Sequence, residues 1–200
     1  VPFELYEMFE RAILPDLLAR SGEASVIKSR VLRTWGDSES GLNERLVGVI
    51  NELEKVGNPT LAFLASGWEG IKVRLTAKAN TEGQAIELLD TWDAKVREQV
   101  KDLVFGVDEQ NMETVVLQNL RDKKLTLGVA ESVTGGLVSG RLTAIAGASD
   151  VFRGAIVSYD SEVKFELLSV TRGPVVSEAA AKEMAIGVRK TLGSDIGLAL

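Results

Sequence analysis

The sequence predicts an α/β protein in two parts: a compact β-α-β-β-α module of α+β type, followed by a layered α/β domain. Three observations carry this expectation. The apolar runs Leu61 to Ser66 and Ile71 to Ala79 flank the short loop Gly67-Trp68-Glu69-Gly70, as a hairpin requires. Apolar stripes of helical period precede and follow that hairpin. Beyond residue 107, short apolar runs alternate with helical patterns, which is how strands joined by helical crossovers read.

In chain order, residues 1–21 form an amphipathic helix interrupted by Pro15 and ending near Ser21-Gly22. Ser25 to Trp35 has the β-branched and leucine content of a strand. Asp37-Ser38 caps the next helix, where Leu42, Leu46, Val49, Ile50 and Leu53 make one stripe, and Gly57-Asn58-Pro59 stops it. After the hairpin, Thr81 caps a helix with Ala85, Leu89, Trp92, Val96 and Val100 turned inward. A boundary is expected at Val104-Phe105-Gly106. Asp108 then starts a helix through Asn119, followed by a strand from Leu125 to Ala130. Gly135-Gly136 open the helix Leu137 to Ile145. A strand follows from Gly154 to Tyr159 and a helix from Ser161 to about Leu168. Ser177 caps the helix Glu178 to Leu192, and Ile196 to Leu200 is a last strand. The expected divisions are 1–22, 23–106 and 107–200.

Composition narrows the function classes. The chain has 200 residues, 45% of them hydrophobic, and a net charge of −6. That charge disfavours generic binding to nucleic acid or anionic membranes. No apolar run approaches the roughly 20 residues of a membrane span and no signal peptide opens the chain, so a soluble cytoplasmic protein is expected. The chain opens on Val1 rather than Met and closes on an apolar strand-like run, as the middle of a longer protein would.

The chemistry centres on Glu131-Ser132-Val133-Thr134-Gly135-Gly136, at the junction of an apolar strand and a helix. Glycines let a backbone approach a ligand closely, and free N–H groups at a helix start favour an anion or oxyanion. The same pattern also fits a Ser or Thr that only caps the helix. It is neither a Walker A loop nor a dinucleotide fingerprint. The chain contains no His and no Cys. A Ser-His-Asp triad, a thiol nucleophile and most metal sites are therefore excluded, and acid–base work falls to Lys, Tyr or carboxylates. Lys164 lies in the first turn of a helix behind Ser161, where the helix dipole opposes a cation. A lysine whose charge is disfavoured is suited to act as a base. Tyr159, at the preceding strand end, is placed to relay a proton or orient a substrate. A solvated lysine and a strand-edge tyrosine fit the pattern as well. Their spacing is one residue off that of the dehydrogenase Tyr/Lys pair.

A second candidate is a basic sheet face. Lys28 and Arg30 share one face of their strand, as do Lys72, Arg74 and Lys78 of theirs, and coincident faces would suit a phosphate backbone. Acidic side chains outnumber basic ones over residues 21–106, and no aromatic interleaving or G-x-x-G loop is present, so a solvated sheet face is the competing reading. Trp92 fits the core stripe, whereas Trp35 and Trp68 suggest no function.

Taken together, Ala130-Glu131-Ser132-Val133-Thr134-Gly135-Gly136, Gly147-Ala148-Ser149, Val157 to Lys164 and Val176-Ser177-Glu178 resemble the C-terminal domain of the CinA family. Upstream, Arg30 to Leu46 and the hairpin after Pro59 resemble the family's KH-type middle domain. Residues 1–22 are similar to the tail of its molybdopterin-binding-like first domain. The resemblance implies a KH-type module followed by a deamidase domain that hydrolyses nicotinamide mononucleotide to nicotinate mononucleotide and ammonia. By that resemblance Ser132 is the nucleophile, Lys164 the general base and Tyr159 the bridge between them. Glu131, Thr134, Gly135 and Gly136 would line the substrate. No cofactor or metal is implied, and the partners are the nucleotide and a second copy in a homodimer, with nucleic acid and membrane unexpected. The family's first domain would add an ADP-ribose pyrophosphatase activity. The rival reading is a non-catalytic nucleotide-binding scaffold, with the KH-type module mediating dimerisation or weak RNA binding. Val133 stands where the family has Cys, a packing change beside the nucleophile, and Asp160-Ser161 where it has Ser-Asn. The family's glycine- and proline-containing ligand loop would follow Leu200.

Overall fold

The computed structural model describes residues 2–22, 25–65 and 67–200, so Val1 and Ser66, the expected end of a strand, lie outside the described residues. Helix α1 (Pro2–Met8), a π-helical turn (Phe9–Ile13) and α2 (Leu14–Ser21) form one helical run. Pro15 does not break this run. It falls in the first turn of α2, directly after the π-helical turn. Among the described residues no helix is long and apolar enough to cross a membrane. The chain divides into two compact units, residues 1–108 and 109–200.

In the first unit, β1 (Val26–Thr34), α3 (Glu39–Val56), β2 (Thr60–Ala65), β3 (Ile71–Ala79), α4 (Glu82–Val100) and β4 (Val104–Val107) build an antiparallel sheet of order β2-β3-β1-β4. Local chemistry sets the helix starts: Ser38 accepts from the N–H of Gly41, and Thr81 from that of Gln84. The α3 stripe and the α4 stripe then bury Leu42, Leu46, Leu53, Ala85, Leu89 and Val96 against Leu32, Val73 and Leu75 of the sheet.

Residues 104–107, where the boundary is expected, form strand β4, which pairs with β1 so that Leu32 faces Val107. Asp108 starts no helix: its carboxylate accepts from the Val31 N–H at 2.8 Å and its carbonyl from Arg33 Nε at 2.6 Å, extending the sheet edge. The basic faces do not coincide either. Lys28 and Arg30 align with Ala77 and Leu75, on the helix-covered side, and pair with Glu82 and Asp90 of α4 at 2.7 Å each. Alternation puts Lys72, Arg74 and Lys78 on the opposite face, so the five cations form no single patch.

The second unit contains α5 (Met112–Lys123), β5 (Leu127–Glu131), α6 (Leu137–Thr143), β6 (Phe152–Val157), α7 (Ser161–Leu168), α8 (Glu178–Leu192) and β7 (Ile196–Ala199). A capping box between Asn111 and Thr114 starts α5 three residues later than Asp108 would have. The sheet is parallel, of order β6-β5-β7, and every residue of the central strand β5 is buried. Leu127 and Val129 meet α5 and α6 on one side, and Ala130 meets α7 and α8 on the other. Helices on both faces are what a parallel sheet of crossover connections demands. The α7–α8 contact depends on Gly187, where an added Cβ would overlap the Leu168 carbonyl oxygen. Gly187→Ala is expected to lower stability by about 1–3 kcal/mol, read as a shift in the urea midpoint, because backbone must move to admit the methyl group.

Candidate active site

The chain leaves β5 toward α6 and β6, then returns over the opposite face through α7 and α8 to β7 on the far side of β5. Such a reversal marks a topological switch point, and in open α/β sheets ligands usually bind there, outside the carboxyl ends of the strands. Ser132 stands there. Its N–H donates to the Leu200 carbonyl at 2.8 Å, and the neighbouring Glu131 carbonyl accepts from the Ser158 N–H at 2.7 Å. The β5 end is thereby fixed to both flanking strands.

Two successive turns follow. The Gly135 N–H closes the first on the Ser132 carbonyl at 3.1 Å, and the Leu137 N–H closes the second on the Thr134 carbonyl at 3.1 Å. The second turn needs positive φ at both central residues, and Gly135 (59°) and Gly136 (102°) supply it at little steric cost.

Glu131 is the organising group, and it does so differently from the sequence expectation. Its carboxylate is 0% exposed. Oε2 accepts from the N–H groups of Gly136 (3.0 Å) and Val138 (3.1 Å). Oε1 accepts from the N–H (2.8 Å) and hydroxyl (2.5 Å) of Ser139. Burial raises its pKa, but the Ser139 hydroxyl, the nearby Thr134 and the Ser139 and Val138 amides outweigh burial and bring it from 4.5 to about 2. The Thr134 hydroxyl supports the charge from close by without satisfying full hydrogen-bond geometry, and its oxygen is buried. With about four acceptor positions filled, Glu131 has none left for a ligand. It anchors the α6 start instead of lining the substrate.

That anchoring also relocates the free donors. The N–H of Gly135 is bonded to Ser132 and that of Gly136 to Glu131, so neither glycine offers a backbone donor to a ligand. Among the described residues the Val133 and Thr134 N–H groups have no acceptor, and they directly follow Ser132. The glycines serve the turn through conformation. Val133 itself is exposed, so its replacement of Cys is a surface change and not a packing one.

Lys164 is 3% exposed, in the first turn of α7 behind the Asp160 cap. Its Nζ donates to the carbonyls of Ser158 at 2.5 Å and Tyr159 at 3.2 Å. Both bonds are donated by the amine, which fixes Nζ at the end of β6. Tyr159 meets Lys164 only through its main-chain carbonyl. Its side chain is 76% exposed, so the phenol does not form the expected bridge. Ser132 and Lys164 are brought to adjacent strand ends, and among the described residues their side chains make no hydrogen bond to each other. Sequence reasoning missed Ser139, which belongs to no recognisable cap spacing with Glu131.

Comparison with known proteins covers both units. The model of the CinA C-terminal domain matches residues 109–200, and that of the damage-inducible protein CinA KH domain matches residues 29–106. The chain belongs to the CinA family. It is similar to a CinA-like protein of Frankia casuarinae, 45% identical over 100% of this chain and 47% of that protein. It is also similar to a putative competence-damage inducible protein of Clostridium acetobutylicum, 41% identical over 98% of this chain and 48% of that one. The chain thus spans about half the length of the curated relatives it matches. Among solved structures it resembles a competence/damage inducible protein from Agrobacterium tumefaciens, with 32% identity, a TM-score of 0.39, and coverage of 44% of this chain and 55% of that one.

The depressed Glu131 pKa has a defined consequence for stability. Its contribution is fully present above the unfolded value of 4.5 and is lost as pH falls toward about 2. The size is about 3 kcal/mol at 1.36 kcal/mol per unit. Glu131→Gln places an amide against backbone donors, so it should be less stable than wild type by at least about that amount at pH 7. Urea unfolding at descending pH should show the gap narrowing between pH 4.5 and 2. A constant gap would mean that the carboxylate's charge is not what holds the turn.

Proposed function

We propose that this member of the CinA family is a metal-independent amidohydrolase that converts nicotinamide mononucleotide to nicotinate mononucleotide and ammonia in the cytoplasm. The observation that carries the reading is a buried lysine amine fixed by carbonyls at one strand end, beside a serine at the next strand end, in a chain with no His or Cys.

Ser132 Oγ adds to the carboxamide carbon while its proton passes to the Lys164 lone pair. The oxyanion accepts from the Val133 and Thr134 N–H groups, the kind of preorganised donor that supplies a large share of acyl-transfer catalysis. Collapse expels ammonia carrying that proton and leaves an ester on Ser132. Water, deprotonated by Lys164, adds to the ester; nicotinate mononucleotide leaves and the proton returns to Ser132. Substrate binding closes the distance between Ser132 and Lys164, as catalytic contacts commonly tighten in the bound complex. Tyr159 contributes its carbonyl to Lys164 and an exposed ring at the carboxyl edge of the sheet.

The intact protein incubated with nicotinamide mononucleotide should release ammonia and the acid product in equal amounts. Ser132→Ala and Lys164→Met should each lower kcat by at least about 100-fold. Tyr159→Phe should keep kcat within a few-fold, because the phenol is not a proton relay. Wild-type rates in the Ser132 and Lys164 variants would overturn the mechanism. Binding of the nucleotide without turnover would point to the scaffold reading.

A further inference from the structure

We propose that Ser139 is a positioning residue for the chemistry at Ser132, acting through the Glu131 carboxylate to hold the 132–136 turn in its reactive shape. This rests on the reading of Ser132 as nucleophile and concerns how that nucleophile is presented.

Ser139 lies one turn into α6 and touches the turn in three ways. Its hydroxyl donates to Glu131 Oε1 at 2.5 Å and also contacts the Gly136 carbonyl at 3.1 Å, and its N–H donates to the same Oε1 at 2.8 Å. Glu131 directly precedes Ser132, and its second oxygen holds the Gly136 N–H at 3.0 Å. The serine hydroxyl therefore closes a loop of bonds around residues 131–136, tying both ends of the turn to one buried carboxylate. Among the described residues Glu131 has no other side-chain donor in good geometry, since the Thr134 hydroxyl lacks a full hydrogen bond.

Removing the Ser139 hydroxyl leaves the helix and the backbone N–H in place but takes away the shortest contact to Oε1. The carboxylate then has a free acceptor position in a site without exposure, and relief comes by rotating toward Thr134 or toward water entering the turn. Either motion shifts Gly136 and, with it, the free N–H groups at Val133 and Thr134. A displacement of about 1 Å at a reacting group costs on the order of 100-fold in rate while leaving ground-state binding nearly intact. A hydroxyl that served only folding would lower stability and leave the turnover of each folded molecule alone.

The test uses wild type, Ser139→Ala and Ser139→Thr in the intact protein, with two readouts. Steady-state deamidation of nicotinamide mononucleotide, scaled to folded protein, should show kcat down at least about tenfold in Ser139→Ala with KM within about twofold. Ser139→Thr, which restores the hydroxyl, should recover most of kcat. In parallel, a fluorophosphonate probe reports Ser132 reactivity without the natural substrate, as the Ser132 oxygen displaces fluoride from phosphorus and peptide mass analysis locates the adduct. Labelling should slow in Ser139→Ala and recover in Ser139→Thr. If wild type labels at Ser132 yet releases no ammonia, the amidase reading fails and the labelling ratio alone decides the role of Ser139. If Ser139→Ala matches wild type within twofold in kcat or labelling per folded molecule, or if Ser139→Thr fails to restore a folded Ser139→Ala deficit, the positioning role is overturned.

Discussion

A single buried carboxylate organises the carboxyl edge of the second unit's sheet. Glu131 ends the central strand of a parallel sheet and, with no exposure to water, faces the start of α6, so its charge is compensated mainly by donors from that helix start. Unpaired, such a buried charge would cost several kcal/mol. The chain therefore has little freedom in how it travels from Glu131 to Ser139, and the shape of the intervening turn follows. Gly135 and Gly136 adopt positive φ, Ser132 is left at the strand tip, and the Val133 and Thr134 amides are left without acceptors.

The same arrangement redirects the electrostatics. A helix start with free amides ordinarily attracts a ligand anion. Here the protein supplies that anion itself, and the amides left without an acceptor among the described residues lie upstream, just after Ser132. Lys164 completes the edge from the neighbouring strand. Its amine is held by two carbonyls beneath the surface.

Much of this was legible in the sequence where local chemistry decides. Ser38, Thr81 and Ser177 cap the helices assigned to them because a side-chain oxygen three residues before an amide is a short-range device. The stripe Leu42, Leu46, Leu53 faces the core because period alone fixes the face of a helix. Legibility failed where partners are distant or where one residue has two possible uses. Asp108 resembles a helix cap but is drawn to β1, 77 residues away from Val31. Lys28 and Arg30 resemble part of a basic surface, yet strand register turns them toward the carboxylates of α4. At the strand ends, residue type and position bring Ser132 and Lys164 forward as candidates, and the structure puts them on adjacent strands. Glu131 was named with the wrong task, because its donors lie five to eight residues ahead, beyond any capping-box spacing. Ser139 carried no signal for the same reason.

The most direct measurement is an NMR titration of the Glu131 side-chain carboxyl carbon in the folded protein, with Glu131→Asp to assign the resonance. The account predicts that this carboxyl still carries its charge well below pH 4 and titrates at about 2, in step with loss of the turn's amide signals. Titration at its ordinary value of 4.5, with the amides of Gly136, Val138 and Ser139 undisturbed, would show that the carboxylate does not hold the turn, and would contradict the account at its root.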